Sequence, residues 1–333
     1  MKLARYFAPV ALAAAVFSLP ALAVDITGAG ATFPYPIYSK WADSYKKTTG
    51  ASMNYQSIGS GGGIKQITAR TVDFGASDLP MKADDLQKNG LIQFPAIIGG
   101  VVPVVKLEGI QPGQLKFTGA LLGDIFLGKV TKWNDPSIVK LNPGISLPGA
   151  DIVVVHRSDG SGTTENFTKY LVLAAPAAWK LKSGSTVEWP ADTQAGNGNG
   201  GVAQIVKSTK GAIGYVDLSD AKATGLKYAA IKNQGGKFVD PTAESVSAAG
   251  DGIEVTDKLI FSALDAKGDA AYPITAQSWC MIYAKPKANA GALKAYFKYM
   301  LTDGQKLLPE IDFAPIPKSL QDKALAQLDK VSQ

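Results

Sequence analysis

A polar turn between a short strand and a helix constrains this chain more than any other stretch. Residues 151–155 are apolar and rich in β-branched side chains, which predicts a buried strand. Residues 167–173 carry apolar side chains at helical spacing. The turn between them therefore lies at the carboxyl end of a strand, where open α/β sheets hold their ligands.

Glycines and hydroxyl side chains in this turn favour an anion as the ligand. Two glycines let the backbone approach a ligand closely, and three hydroxyls stand beside the first N–H groups of the helix. These residues are Gly160, Ser161, Gly162, Thr163 and Thr164. A helix N-terminus with free amides can bind an anion before any side-chain charge is counted.

Arg157 opens this turn and strengthens that interpretation. Lysine is common in the sequence, but only two other arginines occur, Arg5 and Arg70. A guanidinium offers a planar fork of donors that matches a tetrahedral oxyanion. Taken alone, these residues also fit an ordinary strand-turn-helix with a surface arginine paired to Asp159.

The first 23 residues predict a secretory signal peptide. Lys2 and Arg5 form a charged segment, residues 6–19 are apolar, and residues 21–23 form a small-x-small cleavage site. The apolar run is too short for a membrane anchor, and no cysteine follows the cleavage point to carry a lipid. We therefore expect an exported, soluble mature chain that begins at Val24.

Charge and composition exclude several function classes. Without Lys2 and Arg5, 32 basic side chains face 28 acidic ones, so the net charge is near +4. The sequence has no dense basic run with interleaved aromatics, so we expect no nucleic-acid partner. Cys280 and His156 are the only cysteine and histidine, which excludes an intramolecular disulfide and an ordinary zinc site. We expect no cofactor.

Strand-like and helix-like segments alternate along the chain, which indicates an α/β fold. The predicted strands are residues 52–56, 72–76, 101–105, 152–156, 212–216 and 279–283. Further helical segments are predicted around residues 37–45, 64–67, 202–207, 293–301 and 320–328. The glycine- and asparagine-rich run at residues 196–201 is predicted to be a loop.

Three more turns, at residues 28–34, 59–63 and 75–80, resemble the first in chemistry. Thr32 and Ser60 are each predicted to cap a helix that follows at once. The dinucleotide-binding spacing G-x-G-x-x-G does not occur in the glycine-rich turns at residues 28–34 and 59–63. The sequence also contains no P-loop Gly-Lys-Ser/Thr. The ligand is therefore predicted to be a small anion rather than a nucleotide.

These stretches, taken in order, resemble the periplasmic phosphate-binding proteins of bacterial ABC-type phosphate transporters. The resemblance covers essentially the whole mature chain. Its main motifs are TGAGATFP (27–34), GS (59–60), DFGASD (73–78) and RSDGSGT (157–163). Further matching stretches are QFP (93–95), GGVV (99–102), LGDI (122–125), KW (132–133) and GAIGY (211–215).

The resemblance implies a type II periplasmic binding protein fold, in which two α/β lobes joined by a two-strand hinge close on the ligand. Residues 24–103 and 277–333 would form one lobe and residues 104–276 the other. The chain would cross between the lobes near residues 101–105 and 277–283.

The resemblance also implies a set of phosphate-binding residues. Asp78 would accept a hydrogen bond from a phosphate proton, Arg157 would donate its fork, and Asp159 would hold that arginine. The other residues would donate backbone amides and hydroxyls. The implied phosphate-binding set is Thr32, Phe33, Ser60, Asp78, Arg157, Ser161, Gly162 and Thr163. Gly61 occupies a position where some members of this family have a second serine. This difference puts only a peripheral contact with phosphate in doubt.

The implied function is selective binding of inorganic phosphate in the periplasm by a monomer. The phosphate would pass to membrane permease subunits that work with a cytoplasmic ATPase. The alternative is a hydrolase, such as a phosphatase, with Ser161 as nucleophile. His156 lies next to Arg157 on a strand, so its side chain should point to the opposite face, away from the ligand. A lysine base or assistance by Asp78 stays open, as does a second, adhesive or signalling role.

Overall fold

A computed structural model describes residues 25–256 and 259–332 of the chain. Helices and strands alternate throughout these ranges, so the prediction of an α/β fold is confirmed. The predicted signal peptide, residues 1–23, lies outside the described residues. None of the helices within the described ranges is long and apolar enough to cross a membrane.

The predicted strands and helices all occur, but two of the strands extend well before the predicted residues 101–105 and 279–283, and several further elements are present. The strands are β1 Ile26–Gly30, β2 Met53–Ser57, β3 Phe74–Ser77, β4 Leu91–Val105, β5 Lys116–Phe117, β6 Val153–Arg157, β7 Gln194–Gly196, β8 Ala212–Asp217, β9 Lys227–Tyr228, β10 Ala230–Lys232, β11 Phe238–Val239, β12 Thr275–Tyr283 and β13 Phe313–Ala314. The helices are α1 Tyr35–Thr49, α2 Ser60–Thr68, α3 Ala83–Asn89, α4 Gly119–Phe126, α5 Pro136–Leu141, α6 Gly162–Ala174, α7 Gly198–Ser208, α8 Leu218–Thr224, α9 Ala243–Gly250, α10 Ala290–Leu301 and α11 Lys318–Leu328.

One long strand joins the two halves of the main sheet, whose order is β2-β1-β3-β12-β4-β8-β6-β7. Residues 91–100 of β4 pair antiparallel with β12, and residues 101–105 pair antiparallel with β8. We call the part with β1–β3, β12 and residues 91–100 the N-terminal lobe. The part with residues 101–105 and β6–β8 is the central lobe. The expected two-lobed fold is therefore confirmed.

The two chain crossings between the lobes lie side by side. The amide of Val101 donates to the carbonyl of Ile274 at 2.8 Å. The hydroxyl of Tyr272 donates to the carbonyl of Val101 at 3.1 Å. The sheet pairing changes partner between Gly100 and Val101, and β12 begins at Thr275, so both crossings occur at this point. The crossings form a short two-stranded connection.

Parallel strands in each lobe direct their carboxyl ends towards the cleft. In the N-terminal lobe β1 is parallel to β2 and β3, and in the central lobe β6 is parallel to β7 and β8. The turn after β2 reaches the turn after β6, where the amide of Gly61 donates to the carbonyl of Gly160 at 3.0 Å. The fold thus brings the loops that follow these strands to one place.

The two predicted helix caps are wrong. Helix α1 begins at Tyr35 directly after Pro34, and the side chain of Thr32 takes no part in its cap. Helix α2 includes Ser60 as its first residue, and Gly59 precedes it with φ +84°. Both hydroxyls instead accept hydrogen bonds from residues far along the chain, as described below.

The prediction of a loop at residues 196–201 is wrong for most of that run. Helix α7 begins at Gly198, so four of the six residues are helical. Two contacts outside the helix hold its first turn. The amide of Gly198 donates to Asp159 Oδ1 at 3.0 Å, and the amide of Asn199 donates to Thr32 Oγ1 at 3.1 Å.

Helix α2 approaches the sheet so closely that only glycine fits at the contact. A Cβ atom on Gly63 would overlap the Cα of Gly30 and lie 2.7 Å from the carbonyl oxygen of Ala29. It would also lie 2.8 Å from the carbonyl oxygen of Ala76. All three neighbours are backbone atoms of β1 and β3, so none can move away alone. This contact fixes the position of the helix that begins with Ser60.

We expect Gly63→Ala to lower the free energy of unfolding by about 1–3 kcal/mol, the usual cost of overpacking a core. Urea denaturation measures the difference. The control is Gly291→Ala in α10, where nothing lies within 4 Å of the added methyl group. That variant should be neutral or slightly stabilised because alanine favours the helix. Equal stabilities for the two variants would contradict the packing argument.

Candidate functional site

The loops that follow β1, β2, β3 and β6 meet in one buried place between the lobes. Every residue of the predicted binding set lies there, and each is buried. The set comprises Thr32, Phe33, Ser60 and Asp78 from the N-terminal lobe, and Arg157, Ser161, Gly162 and Thr163 from the central lobe. The fold therefore brings together residues that are more than 100 positions apart in the sequence.

Arg157 is the last residue of β6, and its guanidinium is almost completely buried, with 1% of the side chain exposed. Its Nε donates to Asp159 Oδ1 at 2.8 Å, and its Nη2 donates to Asp159 Oδ2 at 2.5 Å. Burial alone would raise the pKa of Asp159, but the hydrogen bonds and charge of Arg157 outweigh it and lower the pKa. The pair is therefore ionised, and Asp159 fixes the plane of the guanidinium.

The four hydroxyls of the site share one property, which is that each accepts a hydrogen bond from a protein N–H. Because a hydroxyl has a single hydrogen, an oxygen that already accepts from the protein keeps that hydrogen for another acceptor. The pairs are Asn199 N to Thr32 Oγ1 at 3.1 Å, Asp78 N to Ser60 Oγ at 3.2 Å, Thr164 N to Ser161 Oγ at 3.0 Å, and Asn199 Nδ2 to Thr163 Oγ1 at 3.4 Å. The site therefore presents these hydroxyls as donors.

Backbone amides add further donors. Within residues 25–256 and 259–332, five amides of the site donate to no protein oxygen, and they belong to Thr32, Phe33, Ser60, Gly162 and Thr163. Gly162 and Thr163 open α6, where no carbonyl of the helix can reach their N–H groups. The amide of Ser161 differs from the prediction because it donates to the carbonyl of Ser185 at 2.9 Å. Ser161 therefore offers the site only its hydroxyl.

Asp78 is the acceptor among these donors. Its residue surface is 1% exposed, and Oδ1 has no hydrogen-bond partner in the described part of the protein. Burial raises the pKa of Asp78 to about 7, while contacts with Ser278 and Ser60 and the charge of Arg157 oppose the rise. The site thus suits a ligand that is an anion and also carries a proton to donate.

The lobes touch each other around this site, so the structure is closed. A Cβ atom on Gly162 would lie 2.5 Å from Asp78 Cβ and 2.7 Å from Ser60 Oγ, so only glycine fits there. On the same side, Asn166 Nδ2 of α6 donates to the carbonyl of Asp78 at 3.0 Å.

His156 lies outside the site. Its ring stacks on Trp189 with the centroids 5.0 Å apart, and its nitrogens approach the carbonyl of Arg157 at 2.9 Å and Thr193 Oγ1 at 3.1 Å. Burial lowers the pKa of His156, and the contact with that carbonyl opposes the shift. Since both nitrogens are used and neither contacts Ser161, this histidine cannot serve as the base for a serine nucleophile.

Sequence reasoning missed three buried residues that surround the site. Asn199 contacts Arg157, Thr163 and Thr32, and Asn166 spans the cleft to Asp78. The hydroxyl of Tyr215 accepts from the amide of Arg157 at 3.3 Å and bonds Thr164 Oγ1 at 2.7 Å. The motif GAIGY contains Tyr215, so that residue carried a signal. Asn199 lies in residues 196–201, which were predicted to be a loop, so no sequence signal marked it as a site residue.

The raised pKa of Asp78 makes stability depend on pH. Burial in the closed cleft penalises the ionised carboxyl, so the ligand-free protein in its closed form should lose stability as the pH rises from about 4 to about 7, with no further loss above. Asp78→Asn removes this titration. The stability of that variant relative to the parent should therefore increase across the same window, by more than about 1 kcal/mol.

Urea unfolding in phosphate-free buffers at several pH values measures this difference for the two proteins. Buried Asp217 also has a raised pKa because of burial, but it is present in both proteins, so its contribution cancels. A difference that stays constant between pH 4 and 7 would mean that Asp78 titrates normally.

Comparisons with known proteins agree with this architecture. The PBP superfamily domain matches residues 16–304 of the chain. The Phosphate-binding protein PstS of Pasteurella multocida is 48% identical over 318 residues, which cover 93% of this chain and 92% of that protein. The Haemophilus influenzae protein of the same name is also 48% identical, over 89% of this chain and 90% of its own length.

Solved structures with the same fold include two that contain phosphate. The high-affinity periplasmic phosphate-binding protein PfluDING superposes with a TM-score of 0.75 at 21% identity, covering 91% of this chain and 93% of that one. A putative phosphate ABC transporter substrate-binding protein from Clostridium perfringens gives a TM-score of 0.66 at 20% identity, covering 88% of this chain and 100% of its own. At these identities the likeness concerns the fold. The sequence relatives and the matching domain together show that the chain belongs to the PstS family of phosphate-binding proteins within the PBP superfamily.

Proposed function

We propose that the protein binds inorganic phosphate selectively in the cleft between its lobes and delivers it to an ABC-type phosphate import permease. One observation carries the proposal, namely a buried cluster of oriented donors around a single unpaired acceptor, Asp78 Oδ1. The names of the PstS relatives support it, as does the phosphate in the related structures.

In this proposal each group of the cluster has a separate role towards phosphate. Arg157 supplies the guanidinium of the site and donates the N–H on Nη2 that Asp159 leaves free, while Asp159 keeps the guanidinium in its plane. The amides of Thr32, Phe33, Ser60, Gly162 and Thr163 and the hydroxyls of Thr32, Ser60, Ser161 and Thr163 donate to the remaining oxygens.

Asp78 would recognise the proton on phosphate. Both common phosphate ions keep at least one proton across roughly pH 5–8, and an ionised carboxylate is only an acceptor. Phosphate and Asp78 would share a short, charge-assisted hydrogen bond. This bond forms whether the shared proton starts on phosphate or on Asp78. Sulfate carries no proton at these pH values, so an ionised Asp78 would set its lone pairs against the oxygens of sulfate. Below about pH 7 Asp78 itself holds a proton and can donate to sulfate as well, so the discrimination is largest above that pH.

Closure of the lobes would accompany binding. We propose lobe bounds near those that the resemblance implies, 24–103 with 277–333 and 104–276, with the chain changing lobe at Gly100–Val101 and at Ile274–Thr275, where the sheet pairing changes. Phosphate would contact Thr32, Ser60 and Asp78 on one lobe and Arg157 on the other, so only the closed state satisfies both sets of groups. The adjacent crossings at Val101 and Ile274 allow such a hinge movement.

The transport role fits an exported protein. We propose that residues 1–23 are a cleaved signal peptide, that the mature protein works as a monomer in the periplasm, and that permease subunits with a cytoplasmic ATPase receive the phosphate. We also propose that the protein needs no cofactor. No group of three metal-binding side chains is present in the parts of the chain that the structure describes.

We propose that the protein is not an enzyme. Its relatives are named as binding proteins, and His156 does not reach Ser161. Incubation of purified protein with a chromogenic phosphate ester tests the hydrolase alternative, and turnover above that of the Ser161→Ala variant would support it. Titration calorimetry with phosphate, sulfate, arsenate and molybdate tests the binding function itself, which fails if phosphate gives no saturable heat.

Arg157→Ala should weaken phosphate binding by roughly a hundredfold or more, because charge-assisted hydrogen bonds contribute about 1.5–3 kcal/mol each. The matched control is Arg70→Ala, since Arg70 is exposed and its guanidinium lies over the ring of Tyr283, 4.0 Å from the centroid. That variant should bind phosphate like the parent. Calorimetry on the three proteins gives the affinities, and equal values for Arg157→Ala and the parent would refute the role of Arg157.

At about pH 8, where Asp78 is ionised, it should give a preference for phosphate over sulfate of at least about a thousandfold, because a site built around one hydrogen bond can reject an analogue that lacks it by about 10⁴–10⁵. Asp78→Asn introduces a group that can also donate, so the preference should narrow, mainly through tighter binding of sulfate. Competition calorimetry with both anions measures the ratio. An unchanged ratio in the variant would place the selectivity elsewhere.

A further inference from the structure

Asn199 is completely buried beside the site and contacts both lobes, yet it is not one of the proposed phosphate-binding residues. We infer that Asn199 is a positioning residue, whose side chain holds the Thr163 hydroxyl and the Arg157 fork in the orientation that donates to the anion. This inference rests on the proposed function, because it assigns a role within the same site.

The orientation of the Asn199 amide follows from its neighbours. Arg157 Nη1 lies 3.2 Å from Asn199 Oδ1, and Thr163 Oγ1 lies 3.4 Å from Asn199 Nδ2. A guanidinium has only donors, so the atom that faces it must be the amide oxygen. The amide nitrogen therefore points at Thr163, and the opposite assignment would set two donors against each other.

Two N–H groups then occupy the acceptor side of the Thr163 hydroxyl. Asn199 Nδ2 donates from 3.4 Å, and Arg157 Nη1 donates from 3.5 Å. A hydroxyl has two lone pairs and one hydrogen, so these two contacts leave only the hydrogen for a third partner. Thr163 is fully buried at the start of α6, next to the free amides of the site, so the third partner is the ligand.

The backbone of Asn199 acts in the same way on the other lobe. Its amide donates to Thr32 Oγ1 at 3.1 Å, which leaves the Thr32 hydroxyl free to donate its hydrogen. Gly198 places this amide, because its φ of +68° turns the chain and its own amide donates to Asp159 Oδ1 at 3.0 Å. One residue of α7 therefore orients a hydroxyl on each side of the cleft, but only when the lobes are closed.

A merely structural asparagine would also be buried and hydrogen-bonded, so the test must separate the two roles. A residue that acts through Thr163 loses much of its effect once the Thr163 hydroxyl is absent, whereas a packing residue has the same effect in both backgrounds. A double-mutant cycle on phosphate affinity, measured by calorimetry on the full chain, makes this distinction. Its proteins are the parent, Asn199→Ala, Thr163→Val and the double variant.

We expect Asn199→Ala to weaken phosphate binding at least tenfold in the parent background, and by a factor at least three times smaller in the Thr163→Val background. Asn199→Asp should bind more weakly than Asn199→Ala. Its carboxylate keeps an oxygen for Arg157 but accepts the Thr163 hydrogen, which turns the hydroxyl away from the anion. The control is Asn197→Ala, since Asn197 is exposed and makes no side-chain cap hydrogen bond, and it should leave the affinity unchanged.

The outcomes separate the inference from the proposed function. If the parent fails to bind phosphate, the proposed function falls and the inference falls with it. If the parent binds but Asn199→Ala has the same effect in both backgrounds, or lowers only the melting temperature, Asn199 is a packing residue. Asn199→Asp with the affinity of the parent would also overturn the inference. Should Asn199→Ala not fold, Asn199→Ser removes the same Nδ2 donor and replaces it in the cycle.

Discussion

The buried ion pair between Arg157 and Asp159 is the interaction on which the site depends. An unpaired charge at this depth would be very costly, and Asp159 compensates the guanidinium at two points. The same carboxylate also accepts from the amide of Gly198, so it joins the end of β6 to the start of α7. That contact brings Asn199 to the cleft, and through Asn199 it reaches Thr32 of the other lobe.

The pair also determines how the site can attract an anion. Asp159 neutralises Arg157, and Asp78 adds a carboxyl whose pKa of about 7 leaves it partly ionised near neutral pH. The cluster therefore carries little or no net positive charge. The favourable potential must come from oriented dipoles, which are the free amides, the N-terminus of α6 and the hydroxyls whose lone pairs already accept from the protein. Selectivity among anions then depends on the shape of the anion and on the number of protons it carries. The net charge of the protein, which is only mildly positive, contributes little to it.

Local patterns predicted the strands and helices because each depends on nearby residues. The apolar run before Arg157 forms β6, and the helical spacing after Thr163 forms α6, nearly at the predicted bounds. The family motifs also pointed to the residues that meet in the cleft. The cap predictions for Thr32 and Ser60 were wrong because these hydroxyls accept from Asn199 and Asp78, which lie 167 and 18 positions away. The first partner is set by the closed arrangement of the lobes and the second by the packing of α2 beside β3 within one lobe, and a local pattern encodes neither.

The start of α7 is a second place where local sequence did not predict the structure. Gly198, Gly200 and Gly201 disfavour a helix, because each glycine destabilises a helix by about 0.5–1 kcal/mol relative to alanine. The helix forms there because its first amides find Asp159 and Thr32 as acceptors. A glycine-rich segment whose composition predicts a loop can therefore form a helix where tertiary contacts accept hydrogen bonds from the N–H groups of its first turn.

The balance of polar groups explains why closure should wait for the ligand. Without one, the closed cleft buries five amides with no protein acceptor and the unpaired Oδ1 of Asp78. Each such group costs about 1–3 kcal/mol when it leaves water unpaired, whereas each hydrogen bond between the lobes contributes only about 0.5–1.5 kcal/mol. The bonds from Gly61, Asn166 and Asn199 cross the cleft beside the site but pair none of these five amides and not Oδ1. An anion that carries one proton satisfies the amides and Asp78 together, so its binding reverses the balance in favour of the closed state.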